Sequence, residues 1–294
     1  MRDEDRGKLS EYRARYPEKI AQAAAERRRR PLLAGRDQLL IIAADHAARG
    51  ALAVRGRPMA MASRVDLLDR LRVALARPGV DGLLATPDIV EDLLLLGALD
   101  DKVVIGSMNR GGIHGAAFEF DDRFTAYDTD TIVRMGLDGG KMLCRVGLDS
   151  PETARTLEAC AGAVTSLARQ GLVAMVEPFW SRRDAGGGTR NDLSPDGVIH
   201  SIHVGQALGA TSAHTWLKIP VIDEMERVME ATTLPTLLLG GDPTAAPDQV
   251  YSSWGKALRL AGVRGLVVGR ALLYPPDDDV AAAVDIAAGL LEVS

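Results

Sequence analysis

Short apolar runs alternate with helical segments eight times along this chain, and that rhythm restricts the fold more than any other feature. The runs fall at residues 39–46, 81–86, 102–108, 140–147, 171–178, 211–221, 234–241 and 264–271. They are continuously apolar rather than alternating, which marks strands buried on both faces, as in parallel sheets. Helical patterns follow them at 64–76, 87–96, 128–136, 150–170, 194–208, 223–232, 248–261 and 279–291. Pro87 opens one helix, and Ser150 caps another with Pro151 in its first turn. Strands alternating with longer helices imply a parallel sheet. Eight units in 294 residues predict an α/β fold closed as a (β/α)8 TIM barrel, with an open doubly wound sheet as the alternative. A further helix is predicted over 9–30, ended by Pro31. It defines an N-terminal helical extension, 1–35, expected to cover the bottom of one barrel domain, 36–294.

Composition narrows the class. Hydrophobic residues make up 47% and charged residues 26%, enough for a packed core. A net charge of −5 argues against nucleic acid as a partner. The basic run Arg27 to Arg30 reads as a solvated helix face or C-terminal end. Cys144 and Cys160 are the two cysteines, too few for a disulfide framework, which predicts a reducing compartment. No signal-peptide pattern and no apolar stretch of roughly 18 residues is present, so a soluble, cytoplasmic protein with no membrane partner is expected.

Within the sixth run, Trp216-Leu-Lys-Ile-Pro220 places Lys218 in a strand otherwise fit for a core. Burial of an ammonium is expensive and pushes it toward the neutral amine that attacks carbonyls. Lys218 is therefore a candidate Schiff-base nucleophile, or else a strand-end lysine that snorkels to solvent. In a barrel, strand C-termini and the loops after them face the active site. Those positions carry Asp45 and His46 on the first strand, Asn109 and Arg110 after the third, and Lys141 and Arg145 on the fourth. They carry Glu177 on the fifth, Lys218 on the sixth, Gly240, Gly241 and Asp242 on the seventh, and Gly269 and Arg270 on the eighth.

Glu177, at the end of an apolar strand, is a candidate proton carrier or the partner of Lys141 or Arg145. Asp45 is suited to orient a substrate hydroxyl or to hold a lysine. His46 fits substrate binding and a structural role equally, and Arg145 is a further candidate for binding substrate or its phosphate. Gly240, Gly241 and Gly269 allow close approach of main-chain N–H groups to an anion, and Arg270 adds charge, so these four form a candidate phosphate site. The loop 180–192, with Arg182, Arg183, Arg190 and a glycine run at 186–188, reads as a polar loop and a candidate anion-binding lid. His200 and His203 have helical metal-ligand spacing, but on a helix expected outside the barrel.

These strand ends resemble those of class I aldolases of the DeoC/LacD/DhnA type: Asp45-His46, Trp216-Leu-Lys-Ile-Pro220, Leu239-Gly-Gly241 and Val267-Val-Gly-Arg270. The likeness spans residues 36–275 and is similar in particular to tagatose-bisphosphate aldolase. By that resemblance Lys218 is the Schiff-base lysine, Glu177 the catalytic glutamate and Lys141 the lysine of the fourth strand. Lys141 stands early in its strand, and the 180–192 loop is longer and more basic than the pattern. A second resemblance, to barrel proteins found with inositol-catabolism genes, implies cleavage of 5-dehydro-2-deoxyphosphogluconate to dihydroxyacetone phosphate and malonate semialdehyde. The expected activity is thus a cofactor-free lyase acting on a phosphorylated keto-sugar or keto-acid, in a homo-oligomer. A metal-dependent aldolase or isomerase, or a non-catalytic phosphosugar-binding barrel, are the alternatives.

Overall fold

The computed structural model describes residues 3–185, 188–241 and 246–292. Among the described residues nine strands form: β1 (Leu39–Ala43), β2 (Gly82–Ala85), β3 (Val103–Ser107), β4 (Gly139–Val146), β5 (Val173–Arg183), β6 (Thr189–Asn191), β7 (Thr215–Pro220), β8 (Thr236–Leu239) and β9 (Val263–Val268). Eight of them pair in parallel in the order β1-β2-β3-β4-β5-β7-β8-β9. β9 returns to β1 through Leu39↔Gly265 and Ile41↔Val267, which closes the barrel. The fold is the expected (β/α)8 TIM barrel.

Two apolar clusters explain why the strand sequences lack polar alternation. Leu40, Ile42, Val104, Ala174, Val176 and Leu217 point outward to the helices. Leu39, Ile41, Ala43, Val103, Ile105, Val173, Met175 and Trp216 fill the barrel interior. Both faces are buried, so both must be apolar. Side chains alternate along a strand, so the interior parity continues upward from Ala43 to Asp45, from Ile105 to Ser107, from Met175 to Glu177 and from Trp216 to Lys218. The apolar stack ends where a layer of charge begins.

The N-terminal segment departs from expectation. Two helices form, Asp3–Arg15 and Glu18–Glu26, interrupted at Pro17, whose missing N–H and ring break a continuous helix. The second leans on the outer helix Pro87–Leu95, and Arg13 bonds Asp92 at 2.9 Å. The barrel bottom is instead reached by residues after the helices. Leu32 and Leu33 pack against the interior cluster. Arg27 is only 7% exposed, donating to the carbonyls of Lys102 at 2.7 Å and Gly136 at 2.6 Å, and Arg30 bonds Asp81 at 2.7 Å. The basic run is thus not wholly solvated: two of its members tie strand starts together.

The 180–192 segment is also different. β5 runs on through Arg183 and β6 folds back antiparallel on it, with Arg182 opposite Arg190. The glycines 186 and 187 of the predicted lid lie outside the described residues, as does Asp242. Cys144 and Cys160 are free and buried. Among the described residues, no helix is long and apolar enough to cross a membrane.

Candidate active site

At the C-terminal mouth of the barrel, four charged side chains from four strands meet. Glu177 lies between two lysines: Oε1 is 2.9 Å from Lys218 Nζ, and Oε2 pairs with Lys141 Nζ. Lys141 Nζ also lies 3.2 Å from Asp45 Oδ2. That same oxygen accepts hydrogen bonds from Arg110 at 2.8 Å and Ser107 at 3.2 Å. A second Arg110 nitrogen bonds the Asp45 main-chain oxygen. Residue exposures are 2% for Asp45 and Lys141, 3% for Lys218 and 7% for Glu177. The snorkelling alternative for Lys218 therefore fails: its ammonium is enclosed and ion-paired. Lys141 reaches the site despite its early position, because β4 begins at Gly139 and Lys141 shares the inward parity of Leu143 and Arg145.

The electrostatics follow from burial and from the crowding of opposite charges. Burial alone would push the Glu177 carboxyl up, but the ammonium groups of Lys141 and Lys218 outweigh it and hold the acid at about 2. Asp45 is likewise held well below the carboxylate range, against its burial, by Lys141 and Arg110. Lys141 is lowered, chiefly by burial, with Lys218 and Arg110 adding like-charge repulsion against the pull of Asp45 and Glu177. Breaking one member of such a buried chain strands a charge, at a cost of about 3–5 kcal/mol.

These groups open on a cavity of about 940 Å³. On its far wall stand Gly240 and Gly241 after β8, and Gly269 and Arg270 after β9. Gly241 has φ +62°, a left-handed conformation that glycine adopts freely. At Gly269 a Cβ would collide with the Ala43 carbonyl oxygen and lie 2.7 Å from His46 Cε1. Gly269→Ala is therefore expected to destabilise the protein by about 1–3 kcal/mol, as overpacking does, in a urea titration.

His46 is half-buried beside this wall, its enclosed Nδ1 without a hydrogen-bond partner among the described residues, and desolvation lowers its pKa to about 3, Asp45 opposing. The imidazole is neutral at pH 7 and suits a hydrogen bond rather than a charge. Because the folded state resists its protonation, stability is full above the ordinary histidine pKa of 6.5 and declines as pH falls toward 3. The expected slope is up to about 1.4 kcal/mol per pH unit, and His46→Gln should flatten it in urea titrations at pH 7, 6 and 5.

Arg145 lines the cavity from β4, but its partner is Glu119 at 3.0 Å, not Glu177. Glu119, from the 109–126 loop, and Arg49, from the turn after β1, line the cavity there and are absent from the sequence-level site; Asp122 of the same loop backs them. Arg49 pairs with Asp122 and donates to the Gly112 carbonyl at 2.9 Å. Asn109 clips β3 to β4, accepting from the Leu143 N–H at 2.8 Å and returning a bond to its carbonyl at 2.5 Å. Arg110 was visible as a strand-end charge, whereas Glu119 and Arg49 sit in loop sequence that carries no periodic signal. His200 and His203 lie on the outer helix Pro195–Gln206, where His200 stacks on Trp180 with ring centroids 5.2 Å apart. Among the described residues, no group of three His, Cys, Asp or Glu is arranged to hold a metal ion.

Solved structures and sequence families bear on this arrangement. Cgl0159 from Corynebacterium glutamicum is 53% identical, covers 100% of this chain and 98% of its own, and superposes with a TM-score of 0.97. A Schiff-base-forming fructose-1,6-bisphosphate aldolase is 19% identical over 92% of this chain and 99% of its own, at a TM-score of 0.65. An archaeal fructose-1,6-bisphosphate aldolase, with its catalytic lysine bound covalently to a carbinolamine intermediate, is 18% identical over 92% of this chain and 99% of its own, also at 0.65. With these two aldolases the chain shares the barrel fold. No curated protein sequence matches it. The Cgl0159-like family matches residues 37–288, and the chain belongs to that family.

Proposed function

We propose that the protein is a class I aldolase that cleaves a phosphorylated keto-sugar or keto-acid through a Schiff base on Lys218. The observation that carries this is the buried Lys218 ammonium, 2.9 Å from a carboxylate that a second lysine also holds, at the mouth of a barrel shared with Schiff-base aldolases. Lys218 passes one ammonium proton to Glu177, and the amine so formed adds to the substrate ketone, making the C–N bond of a carbinolamine whose hydroxyl is the former carbonyl oxygen. With Lys218 no longer a cation, Glu177 is less strongly held ionised and keeps that proton until it delivers it to the departing hydroxyl. Water leaves, and the protonated imine serves as electron sink. Glu177 then takes the proton of the substrate hydroxyl, the C–C bond breaks toward the imine, and an aldehyde leaves. The enamine is protonated and hydrolysed, which frees Lys218.

Lys141, fixed by Asp45, orients Glu177 and supplies a second proton-bearing group. Asp45 in turn is pinned by Arg110. Gly240, Gly241, Gly269 and Arg270 cradle the phosphate, with His46 beside them, in the place where barrels of this kind commonly hold one. The substrate best matched to the resemblance in the sequence is 5-dehydro-2-deoxyphosphogluconate, with a role in inositol catabolism in the cytoplasm and in a homo-oligomer. Residues 36–294 serve as one catalytic barrel, with 1–35 as its extension, in keeping with the family's match from residue 37.

Sodium borohydride trapping with dihydroxyacetone phosphate and a panel of phosphorylated keto-sugars and keto-acids tests this. A reduced adduct on the peptide bearing Lys218 is expected. No adduct with any member, or an adduct mapped to another lysine, would overturn the assignment.

A further inference from the structure

We propose that Arg145 forms a carboxylate-binding pole across the barrel from the phosphate loops, so that the site prefers phosphorylated keto acids to ketose bisphosphates. The preference for a class of substrate rests on the aldolase reading above; the pole itself does not.

Position comes first. β4 is four strands from β9 in either direction round the barrel, so Arg145 faces Gly269 and Arg270 across the cavity. Arg145 pairs in register with Phe179, two residues beyond Glu177. It therefore stands nearer the opening, one inward position beyond the level of Glu177 and two beyond Lys141 on its own strand. A chain with its phosphate at β8 and β9 and its carbonyl at Lys218 presents its other end to Arg145.

The donors are also in place. Nη2 of Arg145 pairs with Glu119 at 3.0 Å, and Glu119 is itself held by the Gly115 N–H at 3.0 Å. Nε and Nη1 are buried with no hydrogen-bond partner among the described residues. An unsatisfied buried donor costs about 1–3 kcal/mol, more on a charged group. A fixed guanidinium with two unused nitrogens on a cavity wall is suited to an acid group of a ligand.

Charge selects the kind of acid. Arg145 with Glu119, and Arg49 with Asp122, are each balanced. The chain Lys218–Glu177–Lys141–Asp45–Arg110 holds three cations against two carboxylates. A protonated imine on Lys218 carries the same charge as its ammonium, so one positive charge remains throughout the reaction. A carboxylate neutralises it. A second phosphate, with nearly two negative charges, would sit uncompensated beside buried Glu119 and Asp122, which is unfavourable in a poorly solvated site.

Open-chain hexose derivatives without a carbonyl test the pole apart from any chemistry at Lys218. Calorimetry would compare 6-phosphogluconate, glucitol 6-phosphate and mannitol 1,6-bisphosphate on the wild-type protein and on Arg145→Gln. For the wild type, 6-phosphogluconate is expected to bind about ten- to a hundredfold tighter than glucitol 6-phosphate, as charged hydrogen bonds do. The bisphosphate should gain nothing over the monophosphate. Arg145→Gln should bring the ratio of the first two close to one, and Arg145→Lys should restore part of it; thermal melting checks that both variants are folded. The proposal is overturned if the bisphosphate binds tightest, if the wild type shows no preference for the acid, or if the preference survives in folded Arg145→Gln. Loss of borohydride trapping with the acid preference intact would remove the aldolase assignment and leave the pole; trapping without the preference would do the reverse.

Discussion

Replacing Lys218 with alanine is expected to abolish borohydride trapping and to lower turnover by on the order of 10⁴-fold or more, as loss of a covalent nucleophile does. The protein should nevertheless fold. Glu177 keeps Lys141 as its partner, so the substitution removes one cation without leaving a bare carboxylate. The lost ion pair and the space vacated above Trp216 should cost a few kcal/mol, about 2–5 by analogy with other buried truncations. The decisive measurement is intact mass after reduction with substrate, alongside a circular-dichroism melt. A folded Lys218→Ala protein that still traps substrate or still turns over would show that another amine does the chemistry. Lys141 is the nearest alternative, and Lys141→Ala separates the two: trapping should persist there, because Lys218 remains with Glu177 beside it.

Glu177→Gln is expected to be the most disruptive isosteric change in the molecule. It leaves Lys141 and Lys218 facing an amide where each had a carboxylate oxygen. Two buried ammonium groups then repel with less compensation. The expected loss is about 3–5 kcal/mol in a urea titration at pH 7, the cost of breaking a buried ion pair from one side. Turnover should fall about 10²–10⁴-fold, as for removal of a positioned proton carrier.

The pH signature has a definite sign. In the native protein Glu177 is held at about 2 against an ordinary 4.5, chiefly by Lys141 and Lys218 in opposition to its burial. The unfolded chain therefore binds the proton first, and the stability that Glu177 contributes is present above pH 4.5 and lost as pH falls toward 2. In Glu177→Gln that dependence is absent, so its stability should fall less steeply between pH 4.5 and pH 3 than that of the wild type. Equal slopes for the two proteins would mean that Glu177 is not held ionised by the lysines.

The barrel and most of the charged layer were legible in the sequence, for a shared reason. A parallel strand buried on both faces needs a continuous apolar run, so a lone charge at the end of such a run stands out. Lys218, Glu177 and Asp45 were found in that way. Of the two cations offered to Glu177, Lys141 is its partner, whereas Arg145 pairs with Glu119, which lies in a loop with no periodicity to place it. The 180–192 stretch reads as loop because its arginines and glycines lack strand character, yet tertiary pairing of Arg182 with Arg190 extends β5 beyond the barrel. Arg27 looks like surface charge, and only the convergence of the Lys102 and Gly136 carbonyls makes it a buried clamp.

Local sequence thus determined which segments are strands, their order, and which strand ends carry charge, because burial on two faces and helix capping act over a few residues. Which charges share an oxygen was decided by barrel closure. Asp45, Lys141, Glu177 and Lys218 are separated by up to 173 residues, from 45 to 218, and only the closed parallel arrangement of β1, β4, β5 and β7 brings their inward side chains together at one end of the barrel. There each charge sets the protonation of the next, and an isolated lysine in an apolar strand becomes one member of a coupled chain.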